Sequence, residues 1–560
     1  MPGWCLNDKE HDYCLAIDLL QSHKYGYAVK HLYQAARDPK TSQISSALIP
    51  KVYLWSSSSS SDNKLEDFES SNSPLSESVL AHVMDAIQNS TRKRVNHSGY
   101  LHHNYKDVSP ESETNCVNDD DGENEWWDSY EELKALNMGH WPEARENIND
   151  KLVEEINNDG NDDGNDNGKR QQMGASRGGF IEDGLRARVL IGTIDAQKLI
   201  HQSQHPSTCS SSHVQFLVVK QGPYMTGHGI GSLLHSLASS LALAMATNRV
   251  LLYDPRDGLM FATDSDDQKT NERDRFQCKD ITSFECFFRP ISSCTFQDAI
   301  TASSGSRMDF LLPSKAHEFN SKKVLMTTGE AFKKIPSVVK DSLIGRDHLI
   351  ADKWTWWKAQ AVAYLMRPNQ RTLLELAMRR REVFTHSPSV MPKGTVSAHV
   401  RHGDKGLEMK LLPMRAYLTA ATLLLDVFEG HATRPWSNNK AVFVSTEDPD
   451  AITTALSWAH KAHNTQTTEN NPHIETDSWN IYYTDIPRSN LPLTGLVQKF
   501  GGVNEMLNGL LNLQLAVECD FWVCTLSSNW CGLIDELRSI SAGKASHPYV
   551  DIGYPCFQGC

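Results

Sequence analysis

The chain has 560 residues, 69 of them acidic and 55 basic, for a formal net charge of −14. Between Asp62 and Gly168 stand 26 acidic and 8 basic residues, whereas the rest of the chain is slightly basic, with 47 against 43. Acidity confined to one segment excludes an acidic globule, and the balance elsewhere excludes a strongly cationic nucleic-acid binder.

At roughly 150 residues per domain, this length predicts more than one folded unit. Residues 1–50 read as helical, with Leu15, Leu19, Leu20, Ala28, Val29, Leu32 and Ala35 on a rough 3.6-residue period. Residues 51–175 are low in complexity: Ser56 to Ser61, Asp119 to Glu123, and Asn157 to Gly168 are almost free of apolar side chains. Such composition cannot bury enough surface to offset chain entropy, so disorder is expected. Within it, residues 126–156 carry a helical pattern and are expected to form a detached stem helix. The longest apolar stretch, Leu233 to Ala246, contains His235, Ser236, Ser239 and Ser240. It falls short of the roughly 18 residues that span a bilayer and reads as a buried helix. The first residues show no basic stretch followed by an apolar one, so neither a signal peptide nor an anchor is visible.

From about residue 181 the composition becomes globular, and strand-like and helix-like runs alternate. Val214–Lys220 predicts a strand, Ser232–Thr247 a helix and Arg249–Asp254 a second strand. A second series begins near residue 394: strand Thr395–Val400, helix Pro413–Phe428, strand Ala441–Ser445, helix Asp450–Ala462 and strand Trp479–Asp485. Helix Glu505–Val517, strand Asp520–Thr525 and helix Trp530–Ser539 complete it. Alternation of this kind predicts an α/β fold with parallel sheets covered by helices on both faces. The expected units are 181–385 and 386–560, two Rossmann-like domains facing a cleft.

Several strand ends carry polar motifs. Gly227, Gly229 and Gly231 precede a helix, where glycines let the backbone approach a ligand and the helix N-terminus favours anions. Leu234 stands where a dinucleotide fingerprint requires Gly or Ala, so the motif reads as a ligand-binding turn. His399, Arg401, His402, Asp404 and Lys405 follow a strand, at the sheet edge where ligands of such folds bind. Arg401 offers bidentate hydrogen bonding suited to a diphosphate, and Lys405 adds a point charge. Asp448 before Pro449 reads as a helix N-cap. Ser527, Ser528 and Asn529 join a strand to a helix, where they either cap the helix or bind phosphate oxygens. Cys524 and Cys531 flank that junction at a separation that suits a small disulfide. Asp264 and Asp266 form a D-x-D within a polar run and read as a solvated loop; no metal site is expected. Twelve cysteines without a C-x-x-C, and two N-x-S/T sequons at Asn89 and Asn96, leave the compartment open.

Together these motifs resemble the α-1,6-fucosyltransferases, the core-fucosylating enzymes of N-glycan processing, from about Cys209 to Phe557. His399-Val-Arg401 with Asp404-Lys405 is similar to the family's H-V-R-R-T-D-K; Glu408, Pro413 and Tyr417 follow in its order, with one residue deleted after Lys405. Asp520 to Cys531 resembles D-F-L-V-C-T-F-S-S-Q-V-C. Trp356, Trp357, Gln360, Tyr364, Leu365, Arg367 and Pro368 resemble W-W-x-x-Q-x-x-x-Y-L-x-R-P. Phe288-Arg289-Pro290 before Cys294, and the three glycines with His235, fit as well.

The resemblance implies a glycosyltransferase B-type fold preceded by a helical and disordered stem, with 386–560 holding the nucleotide sugar. It implies inverting transfer of fucose from GDP-fucose to the 6-hydroxyl of the innermost GlcNAc, without metal or other cofactor. On that reading Arg401 stabilises charge on the departing GDP with help from Lys405, and Glu408 is the general base. Ser528 and Asn529 lie near the phosphates and His399 near the guanine. Asp404, Tyr417, Asp448, Asn512, His235, Gly227, Gly229 and Gly231 complete the substrate-binding set. Cys209 with Cys294, and Cys524 with Cys531, match bridging pairs of the family and imply an oxidising compartment, the Golgi lumen.

Departures bear on function. His402 replaces the motif's second arginine, Gly403 its threonine, and Asn512 the guanine-binding aspartate, whose carboxylate accepts two hydrogen bonds where an amide offers one acceptor. The family's C-terminal SH3-like domain and N-terminal anchor have no counterpart here, so membrane association would need an anchor beyond this sequence. Other acceptors, such as a chitin-type oligomer or a protein hydroxyl, and a catalytically weak glycan- or nucleotide-sugar-binding role, stay open, as does a homodimer.

Overall fold

The computed structural model describes residues 127–137, 139 and 187–552, apart from 221–227, 263–275, 279–282, 305–308, 311–321, 329–331, 344–349, 351, 385–389, 408–410, 430–438, 465–477, 546 and 548. The expected helical segment 1–50 and nearly all of 51–175 lie outside the described residues, as do Gly227, Asp264, Asp266 and Glu408.

The expected stem helix takes a different form where it is described. Trp127–Ser129 is a strand (β1) paired antiparallel with Arg188–Leu190 (β2), and Tyr130–Ala135 is a helix started by Ser129, which accepts from the Glu132 N–H at 3.3 Å. Tyr130 and Leu133 are buried against Val189, Ile194 and Ile540, so the segment is docked rather than detached. Its apolar residues gave the helical pattern, and the cap at Ser129 begins the helix later than the pattern alone predicts.

Two all-parallel sheets follow. In the first, Phe216–Val219 (β3), Val250–Tyr253 (β4), Asp309–Phe310 (β5) and Val324–Thr327 (β6) stand in the order β4-β3-β6-β5. In the second, Val396–Val400 (β7), Asn439–Thr446 (β8), Ser478–Tyr482 (β9), Phe521–Cys524 (β10) and Tyr549–Asp551 (β11) stand in the order β11-β10-β7-β8-β9. Parallel neighbours need long crossovers, which the sequence supplies as helices Ile230–Ala246, Met414–Glu429, Pro449–Asn464, Gly502–Glu518 and Asn529–Ile540. Strands β3, β6, β7 and β10 are buried along their whole length, which is why they read as unbroken apolar runs. These are two α/β units with a cleft between them, the architecture that the resemblance implies.

The strand order places the ligand-binding edge. From β7 the chain moves outward through β8 and β9, then returns to add β10 and β11 on the other side. The carboxyl ends of β7 and β10 therefore flank a topological switch point, where loops diverge and leave a crevice.

The halves share one core. Helix Asn529–Ile540, although it follows β10, packs on helices Lys353–Leu365 and Ile230–Ala246 of the first half. The W-W-x-x-Q-x-x-x-Y-L-x-R-P residues do structural work in this layer. Trp356 Nε1 donates to Ile191 O at 2.9 Å, Trp357 Nε1 to Ala238 O at 3.2 Å, and Tyr364 Oη to Ile291 O at 2.9 Å. Buried Gln360 donates to Thr193 Oγ1 at 2.9 Å, and the Arg367 guanidinium lies 3.8 Å from the Tyr364 ring centroid.

Disulfides join Cys209 to Cys294 and Cys524 to Cys531, as the resemblance implies, and also Cys278 to Cys286, which was not foreseen. Cys519 is a buried free thiol. Among the described residues no helix is long and apolar enough to cross a membrane.

Candidate active site

A cleft of about 460 Å³ opens between the two sheets, within the range of small-ligand sites. Its walls come from the turn before helix Ile230–Ala246, the carboxyl ends of β7 and β8, the segment after β9, and the starts of helices Gly502–Glu518 and Asn529–Ile540. His399, Arg401, Lys405, Asn512, Ser528, Asn529, Gly229 and Gly231 all line it.

His399 is the fourth residue of β7. Its Nδ1 lies 3.1 Å from Ser445 Oγ on the neighbouring strand, while its buried Nε2 has no hydrogen-bond partner among the described residues. Burial, aided by the Arg401 charge, pushes its pKa down to about 3, so the ring is neutral at any physiological pH. A neutral imidazole with one unmatched nitrogen at a cleft wall suits a polar ligand edge.

Arg401, just past the strand, is held by Glu447, which also accepts from the His402 N–H at 2.8 Å. Gly403 is constrained in two ways. Its φ is +47°, and a Cβ there would stand 2.9 Å from the Arg401 guanidinium and 3.1 Å from Glu447 Oε1. A threonine would collide with the very pair that sets Arg401, so the departure to glycine goes with this loop geometry.

His402 does not line the cleft. Its Nδ1 lies 2.6 Å from Asp448 Oδ2 and its Nε2 2.8 Å from Leu412 O. Both partners carry acceptor oxygens, one from a carboxylate and one from the backbone. The residue pins both ends of the loop from 402 to 412, which carries Lys405. Asp448 is the other half of this pin rather than a cleft residue. It accepts from the Asp450 N–H at 3.0 Å as the expected N-cap, and from Asn490 at 3.1 Å. Burial alone would raise its pKa, but the hydrogen bonds from His402, Asn490 and the Asp450 N–H hold it below the ordinary carboxylate value. Of Asp404, only the backbone is described, in a short 3-10 turn over Gly403–Leu407.

Tyr417 is also placed away from the cleft. It is 1 % exposed in the core of the second unit, with its phenol pKa raised by burial, and belongs to packing beneath the site.

The junction after β10 bears on an alternative left open by the sequence. Ser528 occupies the N-cap position of helix Asn529–Ile540, but its hydroxyl makes no cap hydrogen bond. The first-turn N–H groups therefore meet the cleft uncapped by that side chain, which favours an anion there. The Cys524–Cys531 bridge closes this turn.

The two units meet at Asn529. Its Nδ2 donates to Ser232 Oγ at 2.7 Å, and its Oδ1 lies 2.9 Å from His235 Nδ1; His235 Nε2 lies 3.1 Å from Glu536 Oε2. Burial disfavours charge on His235, but the adjacent Glu536 carboxylate and their hydrogen bond raise its pKa. His235 thus clamps one unit to the other. A Cβ on Gly231 would stand 3.0 Å from the Asn529 backbone, so that glycine permits the close approach. A Cβ on Gly229 would make only an ordinary contact with Leu493 Cδ2 at 3.9 Å, and its φ is −64°, so it carries no such constraint.

Three lining residues were missed from sequence. Arg488 is gripped by backbone carbonyls: Nε by Thr446 O at 3.1 Å, and the terminal nitrogens by Ile486 O at 2.9 Å and Thr484 O at 2.7 Å. Glu447 was visible only as part of the S-T-E-D-P turn. Glu505 opens helix Gly502–Glu518 at the cleft, and burial pushes its pKa up to about 7. No motif spacing marks any of them.

No family model matches the chain. Among solved structures, the chain is similar to a substituted FUT1 of Arabidopsis thaliana in complex with GDP, at 12% identity, over 63% of this chain and 78% of that one, with a TM-score of 0.36. It is similar to the NodZ α-1,6-fucosyltransferase soaked with GDP-fucose at 13% identity, over 58% and 92%, with a TM-score of 0.31. It is similar also to POFUT1 in complex with GDP at 11% identity, over 61% and 100%, with a TM-score of 0.30.

Proposed function

We propose that the chain is a fucosyltransferase that moves L-fucose from GDP-fucose, with inversion and without a metal, to the 6-hydroxyl of the innermost GlcNAc of N-glycans. The observation that carries the reading is the meeting of Arg401 and Lys405, at the end of β7, with the N-terminus of helix Asn529–Ile540 at a topological switch point. That is a diphosphate site built from a fork-shaped cation, a flexible cation and oriented backbone dipoles. The N-glycan acceptor rests on the motif resemblance.

In the proposed reaction the acceptor oxygen attacks the fucose anomeric carbon as the bond to the β-phosphate oxygen breaks. Negative charge grows on the departing GDP, where Arg401 and the helix N-terminus stabilise it more than in the ground state. Glu408 takes the acceptor proton. Glu447 holds Arg401 in place before the donor arrives, and the diphosphate then competes for the same guanidinium. The three disulfides support an oxidising compartment, for which the proposal takes the Golgi lumen on the motif resemblance.

The test is incubation of the full chain with a panel of GDP- and UDP-sugars and a GlcNAc-terminated biantennary glycopeptide, with and without EDTA. The expected product gains one deoxyhexose on the innermost GlcNAc, from GDP-fucose alone and equally with EDTA. Transfer to chitin oligomers or protein hydroxyls instead would move the acceptor assignment. Tight GDP binding without turnover would favour the binding-only reading.

A further inference from the structure

Guanine presents two adjacent donors, N1–H and N2–H, that a carboxylate matches and an amide matches by half. Asn512 stands where the resemblance expects that carboxylate, and its amide is already engaged. Its Oδ1 accepts from Thr484 Oγ1 at 3.2 Å, and its Nδ2 donates to Asn508 O at 2.8 Å. With 7 % of its surface exposed, it serves as a buried brace between helix Gly502–Glu518 and the segment after β9.

The cleft has another carboxylate on the same helix face. Glu505 lies seven residues, two helical turns, before Asn512, with Gly509 between them, and all three line the cleft. Among the described lining residues the acidic side chains are Glu447 and Glu505. Glu447 is committed to Arg401. The Glu505 carboxyl has neither an ion-pair nor a hydrogen-bond partner among the described residues, and desolvation alone accounts for its raised pKa.

The cleft also has an apolar side, as a nucleobase face requires. Phe261, Leu493, Leu496, Phe500 and Met506 form an apolar wall of the cleft. Gly502 draws that wall together: a Cβ there would stand 2.5 Å from Met260 O and 3.0 Å from Phe261 Cα, so the helix start is pressed against the first unit. Glu505 follows within one turn. A carboxylate without a partner at the edge of an apolar slot is costly unless a ligand donates to it.

We infer that Glu505 is the specificity-determining residue for the nucleotide base, accepting from the N1–H and N2–H of guanine in place of the carboxylate absent at position 512. This deepens the proposed function and rests on it, since it takes a guanosine diphosphate as the donor's nucleotide. Gly509, between Glu505 and Asn512 on the helix face, is closely approached by the Trp530 ring, 3.2 Å from where a Cβ would stand, so that an aromatic side chain lines the cleft beside Glu505.

The test is calorimetric titration of the full chain with GDP, IDP (which lacks the 2-amino group), UDP and ADP. The wild type is expected to prefer GDP over IDP by about 10-fold or more, the scale of a charged hydrogen bond. Glu505→Gln is expected to lose about 10- to 100-fold in GDP affinity and to bring GDP and IDP to near parity, with UDP and ADP little changed. Glu505→Asp is expected to retain the preference for GDP over IDP, which separates base reading from a fault in folding. If Glu505→Gln keeps the wild-type GDP affinity and GDP-to-IDP ratio, or weakens all four nucleotides alike, Glu505 does not read the base, while the donor assignment stands. If the wild type binds no GDP, the proposed function falls and this inference with it.

Discussion

At the scale of single residues the proposed function rests most heavily on Arg401. Its planar fork is aimed by Glu447 on one side and by the tight turn at Gly403 on the other. Arg401→Ala is expected to weaken GDP binding by about 100-fold or more, and Arg401→Lys to restore little of it, because an ammonium cannot reproduce the bidentate geometry. Titration calorimetry checks both. Glu408→Gln should leave GDP affinity unchanged while cutting transfer by about 100- to 10,000-fold, the range for a general base. A fully active Glu408→Gln enzyme would remove Glu408 from that role. Glu505 adds a pH signature. Its folded pKa of about 7 stands above the ordinary 4.5, so the neutral form is favoured by folding. That stability is complete below about pH 4.5 and is lost as pH rises through 7. Glu505→Gln, always neutral, should melt with the wild type near pH 4.5 and at a higher temperature at pH 8. Equal melting temperatures at both pH values would contradict the desolvated placement.

Among the elements, the second unit was the more legible. The eight strands and helices expected in it fall within three residues of the observed bounds, because its crossover helices are amphipathic and its strands are short apolar runs. The first unit hid more. Helix Lys353–Leu365 is buried on nearly every face, so its sequence lacks the polar stripe that a period search detects. Strands β5 and β11 have two and three residues, too few to show alternation. At the site, residues marked by strand ends were found, whereas Tyr417 and Asp448 were assigned to the cleft although they pack and pin beneath it. Sequence order preserved their positions but not the direction in which they face. The core of the first unit makes its own prediction. Trp357 is fully buried and donates to the helix Ile230–Ala246 backbone, so Trp357→Ala should destabilise the fold by about 3–5 kcal/mol in denaturant titration. The Cys524–Cys531 bridge closes a short loop that carries Ser528 and Asn529. Replacing both cysteines with serine should cost about 2–3 kcal/mol on the loop-entropy scale, read by the same titration. Peptide mapping without reductant should recover all three bridges.

On the scale of the whole molecule, the two units are tied in three places: a continuous core through helix Asn529–Ile540, the His235–Asn529–Glu536 clamp, and the close approach at Gly231. The cleft is thereby a product of both halves, and neither sheet edge alone could supply its walls. The net charge of −14 belongs to the segment around residues 62–168, while the cations that the proposed chemistry uses are gathered at one sheet edge. The measurement that tests this account most directly is mass-spectrometric analysis of the glycopeptide after incubation with GDP-fucose and the full chain. The account predicts one added deoxyhexose on the innermost GlcNAc, abolished by Arg401→Ala. A folded protein that yields no fucosylated product from GDP-fucose on any acceptor offered would contradict it.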